Sequence, residues 1–186
     1  MHTSAVLMFL GTLAACVLLV LVTFSVPFIS IFYFLKTSAA GTVTFGIWGF
    51  CVDITGVCTQ KKLEYSFDPQ IMKSLTTALV LYPVAAGLTL FGLLSLTPLL
   101  YPYPLFALLS ILAFLTSLAA FAVMMFLFTT AKNRFHAEGF TATYGPAVWM
   151  SLAATAVLLL LAVNVGCGTF CGGRFGRQAP HLAYSY

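Results

Sequence analysis

Four uncharged, strongly apolar stretches, at about residues 5–35, 74–96, 105–130 and 146–165, leave this 186-residue chain few ways to fold. A helix needs roughly 20 apolar residues to cross a hydrocarbon core of about 30 Å, and each stretch reaches that length. Inside lipid every backbone polar group must be satisfied within the segment or within a closed barrel. The runs are continuous and lack the period-two alternation of barrel strands, so they predict helices. Only 6% of residues are charged and 61% are hydrophobic, whereas soluble domains carry about a quarter charged residues. The predicted fold is an all-α membrane protein, a bundle of four transmembrane helices within one integral domain.

The stretches differ in detail. The first is longer than one crossing requires, which predicts tilt or a protruding end. It has no Lys or Arg before it and is about twice the 7 to 15 residues of a signal-peptide core, so an uncleaved first span is expected. Pro27 and Pro83 fall inside proposed spans and predict kinks. Pro146 suits the first turn of the fourth helix. Gly11 and Ala15, with Ala153, Ala154 and Ala156, are small enough to let helices approach closely, as ordinary packing positions. Asn164, near the end of the fourth span, either bonds to a neighbouring helix or meets solvent. Tyr101 and Tyr103, interleaved with Pro102 and Pro104, predict a stiff interfacial turn that makes spans two and three antiparallel neighbours.

Between the first two spans, residues 36–73 form a polar island that holds Lys36, Asp53, Lys61, Lys62, Glu64, Asp68 and Lys73. The island contains Gly46-Ile47-Trp48-Gly49-Phe50-Cys51, and Cys58 follows. The glycines let the backbone bend and Trp48 suits a bilayer interface. Cys51 and Cys58 can close a small loop in an oxidising compartment. Free thiols are an alternative, and so is a metal site completed by His136 and Asp53, although nothing in the spacing favours it. The bridged form, a small folded cap on the bundle, is the favoured expectation.

With four spans the island and the third connection, residues 132–145, share one side, and both termini share the other. Lys36, Lys61, Lys62, Lys73, Lys132 and Arg134 lie on the island's side, against Arg174 and Arg177 in the tail, residues 166–186. The positive-inside rule alone puts the island in the cytoplasm, while a disulfide puts it outside. Just past the fourth span, Cys167 and Cys171 sit beside Arg174 and Arg177 and are candidates for palmitoylation. The net charge of +4 is scattered and forms no nucleic-acid footprint.

Several functions lose support. Intramembrane ionisable groups mark ion pathways and coupled transport, and the spans have none. A channel needs polar pore-lining residues that are missing here. Paired titratable groups, a base aimed at Ser or Cys, and nucleotide- or metal-binding motifs are also missing, so no enzymatic role and no cofactor is expected.

GIWGFC with a second cysteine, between spans one and two of a four-span chain, resembles the Gly-apolar-apolar-Gly-x-Cys…Cys signature of the claudin-like superfamily. Within it the chain looks most like the fungal Sur/PalI group of plasma-membrane proteins, which includes eisosome-compartment proteins, ambient-pH regulators and mating-related relatives. The resemblance implies cytoplasmic termini and an extracellular first loop, with Gly46, Trp48, Gly49, Cys51 and Cys58 on the outer face. The first loop is shorter than a tight-junction claudin's, and paracellular sealing is not expected. The implied role is non-catalytic: organising membrane domains, or supporting cell-wall or pH responses, by lateral packing with lipids, with itself or with other integral membrane proteins. The alternative is an auxiliary subunit of a larger enzyme, transporter or receptor.

Overall fold

The computed structural model describes residues 2–38, 41–53, 56–59, 77–96 and 103–170. Four helices dominate: α1 (His2–Thr23), α2 (Leu81–Ser95), α3 (Tyr103–Ala137) and α4 (Pro146–Phe170), with a 3-10 turn, Ala78–Val80, leading into α2. All four, α2 taken together with its 3-10 turn, are long and apolar enough to cross a membrane. They close into a ring, with α1 packing on α2 and α4, and α3 packing on the same two.

Why these helices associate is written in their buried residues. Along α3, Ser110, Ala113, Ser117, Ala120, Met124, Leu127 and Ala131 are all buried. Their spacing alternates three and four, the 3.5-residue period of a left-handed supercoil. Along α4, Ala147, Ser151, Ala154, Leu158, Leu161 and Val165 keep the same spacing, also buried. Lipid is as apolar as leucine, so hydrophobicity does not drive these seams together; small residues do, by permitting close backbone approach. Where they face each other, the Ser117 and Thr155 hydroxyls bond at 2.8 Å. Toward the other end of α3 the seam enlarges to Met124, Leu127, Phe128 and Phe135, opening room for an aromatic layer.

That layer supports a small antiparallel sheet. Its strands are β1 (Leu35–Thr37), β2 (Val43–Phe45), β3 (Phe50–Val52), β4 (Val57–Cys58) and β5 (Ala142–Tyr144), in the order β4-β3-β2-β1-β5. The register sets Leu35 between Phe45 and Tyr144, and Phe45 opposite Phe50. Side chains two apart share a face, so Leu35, Thr37, Val43 and Phe45 lie together on the inner face and are buried. Beneath them Phe34 stacks on Phe128 with centroids 5.4 Å apart, and Phe45 meets Phe135 at 6.0 Å. The bundle core and the inner face of the sheet form one continuous apolar cluster.

The helical expectation therefore holds for the membrane part, and the cap adds a five-stranded sheet that an all-α reading omits. Two boundaries move. The first span ends at Thr23, not near residue 35, and residues 24–34 turn back toward β1. Pro27 lies beyond that helix end and kinks nothing. Pro83 lies in the first turn of α2, beside the 3-10 turn that leads into it. α3 runs 35 residues, or roughly 52 Å at 1.5 Å per residue, well past a hydrocarbon core of about 30 Å. Lys132, Arg134 and His136 thus ride on a helical stalk, and what remains of the third connection supplies strand β5.

Candidate functional site

The residues singled out in GIWGFC converge on one place, the seat of the sheet on the end of α1. β2 and β3 are joined by Gly46 to Gly49, with the Gly46 N–H donating to the Gly49 carbonyl at 2.9 Å. Gly46 packs directly on the backbone of Val26. A Cβ there would overlap the Val26 carbonyl oxygen and stand 2.8 Å from its nitrogen, so no side chain fits. Gly49 has φ 155°, which favours a residue without Cβ. Between them Ile47 is fully buried, and its N–H donates to Ser25 Oγ at 3.1 Å.

Trp48 closes the clasp. Its indole N–H donates to the carbonyl of Thr23, the last residue of α1, at 2.7 Å. Carbonyls in the last turn of a helix have no intrahelical donor, so the indole satisfies a group that would otherwise be stranded where the chain leaves the membrane. The ring lies edge-on to Phe28 at 6.3 Å, which is edge-on to Phe24 at 5.8 Å.

A second clasp lies across β1. Gly145, just after β5, packs on Tyr33, where a Cβ would overlap the Tyr33 carbonyl oxygen. Its N–H donates to the Phe34 carbonyl at 2.9 Å, and the Phe34 N–H donates to the Phe45 carbonyl at 2.8 Å. The chain between α1 and β1 is therefore pinched between two glycines, one from each side of the polar face of the molecule. Residue reasoning passed over Gly145, although its place directly before the helix-opening Pro146 was a usable signal. It also passed over Ser25 and over Tyr144, whose hydroxyl pairs with Thr129 at 3.0 Å while Lys132 sits 4.5 Å above its ring.

Cys51 and Cys58 are bonded to each other, opposite one another on β3 and β4 with Cα atoms 4.1 Å apart. The Thr59 N–H donates to the Phe50 carbonyl at 3.0 Å, making Cys51 and Cys58 the non-hydrogen-bonded pair, where opposing side chains come closest. The bridge ties the edge strand β4 to the sheet and lies on the face turned away from the bundle, with Lys36, Thr44 and Thr143. Lys36 also approaches Asp53 at 3.7 Å. Both partners of that ion pair are well exposed, and such a pair adds little stability.

The remaining candidates separate. With both sulfurs spent on each other, the metal set with His136 and Asp53 does not form, and no three potential ligands cluster among the described residues. Asn164 donates to the Leu160 carbonyl of its own helix at 2.7 Å and makes no bond across the bundle among the described residues. Ala15 and Ala154 are buried at helix contacts, and Gly11 meets Leu161, whereas Ala153 and Ala156 face outward. Cys167 falls in the last turn of α4; Cys171, Tyr101 and Pro102 lie outside the described residues. A fifth cysteine, Cys16, is free and buried inside α1.

The site is thus a mechanical joint with a bridged outer surface. On the face of the sheet turned from the bundle Thr143 and Cys58 are exposed and Lys36 pairs with Asp53, while Thr44 and Cys51 are buried. A search of curated proteins finds no match to the chain. The sequence model of the SUR7/PalI family matches residues 3–163, a span that takes in nearly all of the first three helices, α4 as far as residue 163, the glycine and tryptophan clasp and the bridged cysteines. This multi-pass membrane protein belongs to the SUR7/PalI family.

Proposed function

We propose that this protein is a non-catalytic organiser of the plasma membrane, with both termini in the cytoplasm and the sheet outside, acting through lateral packing of its helices and through the outer face of its cap. The observation that carries the reading is the Cys51–Cys58 bridge on a sheet clasped rigidly to the bundle. Disulfides persist in oxidising compartments, and this one lies on the face of the sheet turned away from the bundle, with Cys58 exposed and Cys51 buried. The bias of Lys and Arg toward the same side argues the other way. Part of that basic charge is locally engaged, Lys36 by Asp53 and Lys132 by the Tyr144 ring. An outer face held to the bundle by the glycine and tryptophan clasp suits recognition of a partner.

The test is labelling of intact cells with a membrane-impermeant thiol reagent, using Thr143→Cys on the cap and native Cys167 and Cys171 in the tail. Labelling of the cap before permeabilisation, and of the tail only afterwards, supports the reading; the reverse order ends it. Gentle detergent extraction then separates two roles. An organiser comes out as self-associated patches, and an auxiliary subunit as a fixed ratio with one large enzyme, transporter or receptor.

A further inference from the structure

Residues 24–34 carry no charge and nearly all are apolar, yet they are not helical and do not fold into the core as a block. Val26 and Phe34 are buried, while Phe24 is 47% exposed, Phe28 46% and Ile31 70%. Exposed apolar side chains on a loop beside a water-facing sheet would be costly unless something covers them. We infer that this loop is an interfacial foot: Phe24, Phe28 and Ile31 sink into the lipid of the leaflet next to the cap and hold the sheet down against the bilayer.

Three observations support lipid as the occupant. The patch continues a surface that is already lipid-facing, since Leu10, Leu13, Val17 and Val20 of α1 are exposed along a membrane-spanning helix that ends at Thr23, immediately before Phe24. Its backbone is provisioned in part for a dry environment. The N–H groups of Phe24, Ser25, Val26, Phe28 and Phe32 bond to carbonyls of the same segment or of the end of α1, that of Phe34 bonds to Phe45, and Pro27 has none to satisfy. Irregular backbone in the hydrocarbon core needs every polar group met in this way, and among the described residues the N–H groups of Ile29, Ser30, Ile31 and Tyr33 make no such backbone bond, which sets the loop at the interface, within reach of headgroups and water. Finally, Trp48 touches Phe28 and presents an indole whose N–H is already bonded, and Trp149 is exposed in the first turn of α4, so tryptophans mark the same boundary on two sides of the molecule. The inference concerns depth and holds whichever side of the membrane the cap faces, so it stands or falls apart from the proposed role.

Spin labels on the full-length chain in phosphatidylcholine nanodiscs test it, with Cys16, Cys167 and Cys171 replaced by Ala and a label placed at Ile31→Cys. Leu10→Cys serves as the lipid reference and Thr143→Cys as the aqueous one. The Ile31 label is expected to collide with oxygen in preference to a water-soluble nickel complex, with a ratio between the two references, below the Leu10 value and several-fold above the Thr143 value. A ratio matching Thr143 overturns the inference, and so does a label shielded from both reagents, which would place protein over the patch. A second measurement needs no label: with Trp149→Phe, Trp48 becomes the sole tryptophan, and lipids brominated near the headgroup should quench it more strongly than lipids brominated near the bilayer centre. Absence of quenching by either lipid also overturns the foot.

Discussion

Gly46 and Trp48 show how single residues couple the cap to the membrane. Adding a methyl group at Gly46 forces backbone against the backbone of Val26, where no side chain can rotate away. Gly46→Ala is therefore expected to destabilise the protein by at least the 1–3 kcal/mol of ordinary overpacking. Thermal unfolding in detergent, followed by far-UV circular dichroism, measures it, and Gly145→Ala should behave alike because it meets Tyr33 in the same way. Gly87, with open space at its Cβ position, is the control whose Ala variant should lose nothing. Trp48→Phe keeps the ring on Phe28 but removes the donor to the Thr23 carbonyl. The expected cost is about 1–2 kcal/mol, that of one hydrogen bond lost and one carbonyl stranded, read by the same melting experiment. Gly46 and Trp48 were legible as parts of a motif in the sequence, and Gly145 was not. What each one touches was not, because Val26, Thr23 and Tyr33 belong to a stretch that reads as more of the first span.

At the scale of elements, the disulfide and the helix seams act on different parts. Cys51 and Cys58 join only β3 and β4, closing a ring of eight residues, which in the loop-closure model is worth about 2–3 kcal/mol. Cys51→Ser together with Cys58→Ser should release β4 and leave β1, β2 and β5 paired. Hydrogen exchange should then rise at Val57 and Thr59 and stay unchanged at Lys36 and Thr44; loss of protection across the whole sheet would contradict this. The helix seams respond to size more than to polarity. Ser117→Ala removes the bond to Thr155, and membrane-buried hydroxyl pairs average about 0.6 kcal/mol, so the effect on stability should be small. Ser117→Leu, which must push α3 away from α4 at a fully buried position, should cost about 1–3 kcal/mol or more. Steric-trap or detergent unfolding of the two variants side by side checks the ordering. The seam spacing was present in the sequence, but apolar residues on every side of these helices hid it: without an amphipathic contrast, only the small residues distinguish the buried stripe from the lipid-facing one.

Taken whole, the molecule is one core with two environments around it. Buried residues run without a break from Ala15 and Leu158 in the bundle to Phe45 and Val43 beneath the sheet. Cap and bundle are therefore expected to unfold together. Phe135→Ala, at a fully buried site between α3 and the sheet, should cost about 3–5 kcal/mol. It should lower the melting of helix ellipticity and of tryptophan fluorescence by the same amount. Two separated transitions would mean that the sheet is an independent module. Rigid attachment is also what the proposed role requires, since a cap that rocked freely could not hold a defined surface toward a partner.

The chain by itself determined the number of spans, the position of the polar island and the pairing candidates Cys51 and Cys58. These follow from local quantities: the length of uncharged runs against bilayer thickness, and two thiols close in sequence. Only the tertiary structure decided that β5, more than a hundred residues beyond β1 in the chain, would complete the sheet. It also decided that the first apolar run would break at Thr23 and that the end of α3 would rise as a stalk beneath Phe45. Three-residue strands carry too little periodicity to announce themselves; they form because the bundle presents an aromatic floor on which their inner faces can be buried, and that floor exists only once the helices have met.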